Sequence, residues 1–213
     1  MNKALSVRPL VRPFAAALAA LAVVTALPAC APLIVGGAMV GGSMMAIDRR
    51  TSGAQVEDQA IELKALSRAR DLATLGSVNI TSYNRMVLIS GEVPTEPDRA
   101  RVEEALLKLE NVRSVVNELA VQPNSSLGDR SRDSITSAKV KATLVDAKDM
   151  QAHAVKVVTE RGIVYLMGLV TEREANRATD IARSVPGVQK VVRVFEVITE
   201  EELAGTVARP NKP

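Results

Sequence analysis

Residues 77–93, SVNITSYNRMVLISGEV, lie over residues 154–170, AVKVVTERGIVYLMGLV, at an offset of 77 with no gap. Pro94 is then one extra residue, and TEPDRARVEEALLKLENVRSVVNELAV (95–121) continues over TEREANRATDIARSVPGVQKVVRVFEV (171–197) at an offset of 76. Apolar positions coincide throughout: Val78 with Val155, Ile80 with Val157, Met86 with Ile163, Gly91 with Gly168, Val112 with Val188 and Val115-Val116 with Val191-Val192. A chain that repeats itself at this period builds the same supersecondary unit twice.

The second copy spells out the unit. VKVVT alternates and ends at ERG, a tight-turn sequence whose glycine accepts positive φ. GIVYLMGLV is a second strand. TEREANRATDIARSV opens with a capping box, Thr171 to Glu174, and carries Ala175, Ala178, Ile181, Ala182 and Val185 on one helical face. Pro186 and Gly187 break that helix, and VQKVVRVFEV is a third strand. Helices over roughly 57–73 and 133–147 precede the two units. The fold class expected is α+β: two tandem small α-β-β-α-β sandwiches, each a three-stranded mixed sheet packed on two helices, with an antiparallel hairpin and a parallel right-handed crossover. Gly91 and Gly168 are expected as structural glycines, letting the crossing helix approach the sheet backbone or making a bulge.

With no Trp, two Tyr and two Phe in 213 residues, both cores must be aliphatic. Residues 1–29 carry Lys3, Arg8 and Arg12 and no acid. The apolar run FAAALAALAVVTALPA then ends at Ala29, a signal peptide by charge and length and short of the ~20 residues of a membrane span. Its removal leaves a formally neutral chain, so the pI of 9.2 is no nucleic-acid signature. The lone cysteine, Cys30, follows Leu27-Pro28-Ala29 and resembles a bacterial lipobox, which implies a covalent lipid (palmitate included) as the only attached group, no other cofactor, and, with Ala31 next, outer-membrane delivery. The alternative is an ordinary thiol near a cleavage site. Residues 30–55 read as a lipidated N-terminus and flexible tether. The continuing apolar stretch 31–47 is also open to reading as part of an interrupted membrane segment, which its prolines and glycine pairs disfavour. The modules then span 56–122 and 131–199, joined by a linker at 123–130 and followed by a disordered tail at 200–213.

Two such units, each with an apolar strand, a glycine and a Thr-initiated helix, resemble BON domains. The second also has the G-V-x-x-V-V ending, Gly187 to Val192, where the first has Asn111, a residue that tolerates the left-handed cap. Together with the lipobox, residues 48–199 are similar to the dual-BON outer-membrane lipoproteins of the DolP (YraP) type. The resemblance implies a periplasmic, lipid-anchored protein that binds anionic phospholipid (phosphatidylglycerol, cardiolipin) through the first helix of its second module. It further implies support of outer-membrane integrity and association with the outer-membrane protein assembly machinery.

The residues support part of this independently. Residues 57–121 carry 8 basic and 11 acidic side chains, net −3, whereas residues 131–199 carry 11 and 8, net +3. The second module therefore suits an anionic surface. On a helix through 134–148, Val140, Leu144 and Ala147 form one stripe. Ile135, Ala138, Ala142 and Val145 form another, nearly opposite, with Lys139 and Lys141 on the flanks. One helix cannot bury both stripes in one small module, so the second meets lipid, the first module or another chain, or stays in water. An apolar strip edged by lysines is the pattern of an interfacial helix. Ile135, Ala138, Lys139, Lys141, Ala142 and Val145 are therefore the candidate phospholipid-binding residues. Arg173 and Arg177 extend a basic surface or are simply solvated.

No catalytic constellation accompanies them, and an enzyme is not expected. His153 stands alone without a second ligand for a metal, no phosphate loop precedes a helix, and basic residues lack the interleaved aromatics of a nucleic-acid platform. Three functions remain: a lipid-anchored phospholipid-binding module, an envelope protein-interaction adaptor that does not read lipid, and a soluble periplasmic stress protein with an ordinary signal.

Overall fold

The computed structural model describes residues 48–73 and 75–207. The signal peptide and Cys30 lie outside the described residues. In chain order the elements are α1 (Ser52–Leu72), β1 (Ser77–Tyr83), β2 (Met86–Val93), α2 (Glu96–Leu107) and β3 (Ser114–Val121), then α3 (Leu127–Asp146), a short 3-10 turn (Ala152–Ala154), β4 (Val155–Glu160), β5 (Ile163–Thr171), α4 (Glu172–Ser184), β6 (Lys190–Ile198) and α5 (Glu200–Val207). Each sheet has its second strand in the centre, β1-β2-β3 and β4-β5-β6. The hairpins pair antiparallel and the crossovers through α2 and α4 pair parallel. The fold class is the one expected from the repeat.

Side chains alternate across each strand, and both faces of the central strands are buried. Val87, Ile89 and Val93 face α1 and α2, packing with Ile61, Ala65, Ala69, Val102 and Leu106. Val164, Leu166 and Val170 make the matching core with Val140, Leu144, Ala178 and Ala182. The residues between them face the other way: Tyr83, Met86 and Leu88 of one sheet pack against Tyr165, Met167 and Val194 of the other. The two sheets thus cover each other, giving four layers in the order helices, sheet, sheet, helices. Both tyrosines of the chain lie in this shared core.

The duplicated glycines serve the hairpins rather than the crossing helices. Gly168 pairs with Val155, and a Cβ there would lie 2.3 Å from the carbonyl oxygen of Ala154. Gly91 pairs with Val78, has φ +109°, and would put its Cβ 1.9 Å from the Ser77 carbonyl oxygen. In each module the edge strand therefore enters at a separation that leaves no room for a side chain. The helix approach expected from the sequence is replaced by a strand approach at the same positions.

A second duplicated device is an aspartate. Asp58 of α1 and Asp133 of α3 are both buried and both tie down the two-residue turn of their own hairpin. Asp58 accepts from Asn84 N–H and Arg85 N–H at 2.7 Å each, and from the Ser82 hydroxyl. Asp133 accepts from Arg161 N–H and Gly162 N–H at 2.7 and 2.8 Å. All four turn residues have positive φ, the geometry that matches strand twist in a tight hairpin. Asn111 also has positive φ, 68°, at the position where the second module has Gly187.

Several boundaries differ from those read in the sequence. The helix expected from about 133 begins at Leu127, because Ser126 caps it in a reciprocal box with Asp129; half of the expected 123–130 linker is thus helical. The tail expected to be disordered from 200 forms α5 as far as Val207, started by Thr199 and Glu202 bonding each other's backbone N–H. The tether read through residue 55 ends earlier. α1 starts at Ser52, and Arg49 and Arg50 are fixed side chains. Arg49 makes a two-pronged bond to Glu174 at 2.7 Å on each oxygen, and donates to Leu169 O at 2.9 Å. Arg50 bonds Asp58 at 2.6 Å and lies 4.1 Å from the centre of the Tyr83 ring. Adjacent residues at the start of the described chain therefore bind one module each.

Candidate functional site: the outer face of the second module's first helix

α3 is amphipathic in an unusual sense, with two unlike faces and only one used by the core. Asp133, Thr136, Val140 and Leu144 point inward and are buried. Ala147, placed in that stripe by the sequence, is the half-buried cap residue just past the helix end. On the far side Ile135 is 53% and Val145 61% exposed, and Ala138 and Ala142 are exposed with them. The six candidate residues therefore share one solvent-facing surface of one helix. The first module does not cover it: its contact with the second runs through the sheets. Of the three alternatives to water that the sequence left for this stripe, packing on the first module is thereby removed.

Lys139 and Lys141 are exposed and form no ion pair among the described residues. Thr143 and Ser134 turn their hydroxyls back onto the helix, to Lys139 O at 2.9 Å and Arg130 O at 3.0 Å, so they present little free polarity to the outside. An open groove of about 310 Å³ runs beside Lys139 and Ala142 to Val185 and Pro186 at the end of α4. The surface is thus apolar along its ridge, cationic at its edge and unobstructed. Chemically it can bury alkyl groups and attract anions; it has no group placed for proton transfer or nucleophilic attack.

Leu127 belongs to the same surface. It lies 18 residues before Val145, five full turns at about 100° per residue, so it falls on the same line as Val145 along one side of the stripe, and it is 84% exposed. Placing the helix start at 133 hid it. The Ser126–Asp129 capping box was the legible signal.

Several other basic residues are occupied. Arg177 binds Asp149 at 2.7 Å, and Arg173 reaches Asp149 O and Glu200, so both hold the loop after α3 and the start of α5. Arg161, at the β4–β5 turn, donates to Gly91 O at 2.8 Å in the other module. Arg113 forks onto Glu196, which also accepts from Asn84, and these bonds hold the Glu196 carboxyl below the usual range. Lys156 binds Glu62 at 2.8 Å. Lys156 and Arg161, which also reaches Glu92 at 3.3 Å, are thus spent on the acidic first module, while the α3 lysines are among the cations still available. His153 is exposed in the 3-10 turn, and no cluster of metal-ligating groups exists among the described residues.

Among known proteins, the BON domain family matches this chain at residues 58–123 and again at 132–199, the two modules seen here. A protein of Haemophilus influenzae described as outer membrane lipoprotein DolP is 36% identical over 175 residues, 81% of this chain and 90% of that one. A 21 kDa hemolysin of Actinobacillus pleuropneumoniae is 31% identical, covering 71% of this chain and 80% of its own length. The osmotically-inducible protein Y of Escherichia coli is 28% identical over 64% of this chain.

Proposed function

This chain belongs to the BON-domain family, with two such domains in tandem, and from that premise we propose that it is an envelope protein that binds anionic phospholipid through the outer face of α3. In this reading Cys30 carries lipid and holds the protein at the periplasmic face of the outer membrane, whose integrity it supports. The lipobox and the likeness to an outer membrane lipoprotein support the location. The observation that carries the binding reading is the uncovered stripe Ile135, Ala138, Ala142 and Val145 beside two unpaired lysines. Each lysine near an anionic leaflet contributes about 1 kcal/mol, so the pair accounts for roughly thirtyfold in affinity, and the apolar ridge adds to it.

All three cores lie within residues 48–207, so a chain comprising 48–213, free of Cys30, suits the test. It is sedimented with vesicles of zwitterionic lipid alone and with phosphatidylglycerol or cardiolipin added, at low and moderate salt. Binding only to anionic vesicles, weakened by salt, by Ile135→Asp and by Lys139→Glu/Lys141→Glu, is expected. Absence of binding at low salt sinks the reading. The adaptor reading then takes its place, because Val56 and Leu63 on α1 are 64% and 72% exposed and offer a second apolar face to a partner such as an outer-membrane assembly complex.

A further inference from the structure

Leu127 and Leu75 are the two most exposed large apolar side chains among the described residues, at 84% and 78%. They belong to different modules: Leu127 opens α3, and Leu75 lies between α1 and β1. The linker draws their backbones together. Asn124 Nδ2 donates to Leu75 O at 3.1 Å, three residues before Leu127. Around it, Gln122 N–H bonds Val93 O at 3.1 Å and the Ser125 hydroxyl bonds Glu92 at 2.5 Å. The loops are therefore held while both leucines stand in water. Neither takes part in any of the three cores. Side chains this exposed protrude rather than line a groove, which suits a fluid apolar phase that closes around them better than a preformed protein pocket. Arg130, exposed one turn into α3 and without an ion pair among the described residues, supplies the charge that an anionic surface would meet.

We infer that the bilayer contact of α3 crosses the module boundary: Leu127 and Leu75 enter the interfacial layer together, with Arg130 at the level of anionic headgroups. The inference rests on the reading of α3 as a phospholipid-binding helix. It assigns a lipid-contacting residue to the first module, whose sequence showed no such signal. It also makes lipid binding a property of the assembled pair of modules, since Leu75 and Leu127 keep their relation only while the linker bonds hold.

The chain has no tryptophan, so one introduced tryptophan reports its own surroundings. Leu75→Trp, Leu127→Trp, Ile135→Trp and Val56→Trp are each made in residues 48–213. Each is titrated with phosphatidylcholine–phosphatidylglycerol vesicles whose acyl chains are brominated. Blue shift and quenching at positions 75, 127 and 135, with none at 56, are expected. In parallel, Leu75→Asp should weaken vesicle binding at least tenfold, about 1.4 kcal/mol, with an unchanged melting temperature. Quenching at 135 without quenching at 75 overturns the extension and leaves the α3 reading standing. No quenching at 135 overturns that reading and the inference with it. Quenching at all four positions, Val56 included, also overturns the inference, because contact would then not be confined to this end of the molecule.

Discussion

Arg49→Ala tests whether the residues before α1 are part of the fold. The Arg49 side chain is 4% exposed and that of Glu174 5%, and the two are joined by a pair of 2.7 Å bonds. Removing one member of a buried pair costs about 3–5 kcal/mol, because the other charge is left in a poorly hydrated place. Glu174 is not wholly orphaned, since it still accepts from Thr171 N–H as the third residue of its capping box. The lower end, about 3 kcal/mol, is therefore expected. For a unit of this size that corresponds to a fall in melting temperature of about 6–12 °C. A double change, Arg49→Met with Glu174→Gln, should recover much of the loss, because no unpaired charge is then left buried. The pH dependence is a second readout. The Arg49 hydrogen bonds hold the Glu174 carboxyl below its usual range, against the opposing effect of burial. A carboxylate depressed in the folded state contributes stability above its unfolded pKa, about 4.3, and loses it as pH falls through the folded value. The gap between wild type and Arg49→Ala, measured by calorimetry, should therefore be full at pH 7 and narrow below pH 4. A shift under 1 °C at pH 7 would show that residues 48–50 belong to the tether and that the clasp is not populated in solution.

Gly168→Ala should destabilise the second module by several kcal/mol in urea melts, since its Cβ would overlap the Ala154 carbonyl. Gly91→Ala should cost more, because its positive φ adds backbone strain to a closer overlap. An effect below 1 kcal/mol at either site would refute the strand-approach explanation. Asp58→Asn removes a carboxylate whose burial alone would raise its pKa but which bonds from Arg85, Ser82, Asn84 and Arg50 bring below the usual range; a loss of about 2–3 kcal/mol is expected, with faster amide exchange at Asn84 and Arg85. Tyr165→Ala should cost about 3–5 kcal/mol and, unlike a change in either helix-side core, should increase proteolysis within the 122–126 linker.

The repeat made the element order, the strand pairing and the helix-side cores legible, because each depends on local periodicity that two aligned copies reinforce. The α3 stripe was legible from the helical periodicity of residues 134–148 alone. What was not legible depends on contacts across the repeat boundary. Tyr165 and Met167 read only as part of an apolar strand. That β2 and β5 are apolar on both faces was the available sign that each sheet needs a second cover, and the identity of the cover followed only from the packing of Tyr83 and Leu88 against them. Asp58 and Asp133 stood at matching places in the two leading helices, yet the sequence comparison began at residue 77 and left those helices unaligned. Arg49 could not be found at all: one arginine in a charged triplet, 125 residues from its partner, carries no pattern.

The mutual covering of the sheets has a consequence for how such a molecule meets a flat surface. With sheets inside and helices outside, the outer face of α1 and that of α3 lie on opposite sides of the four layers. A planar bilayer touching α3 along its length therefore leaves Val56 and Leu63 of α1 pointing away from it. Lipid binding and a protein contact on α1 do not compete for the same area, and a membrane-bound molecule would still present its acidic module outward. Arg49 adds to this arrangement. It fixes the start of the described chain against Leu169, Gln151 and Glu174 of the second module, the module whose helix carries the lysine-edged stripe.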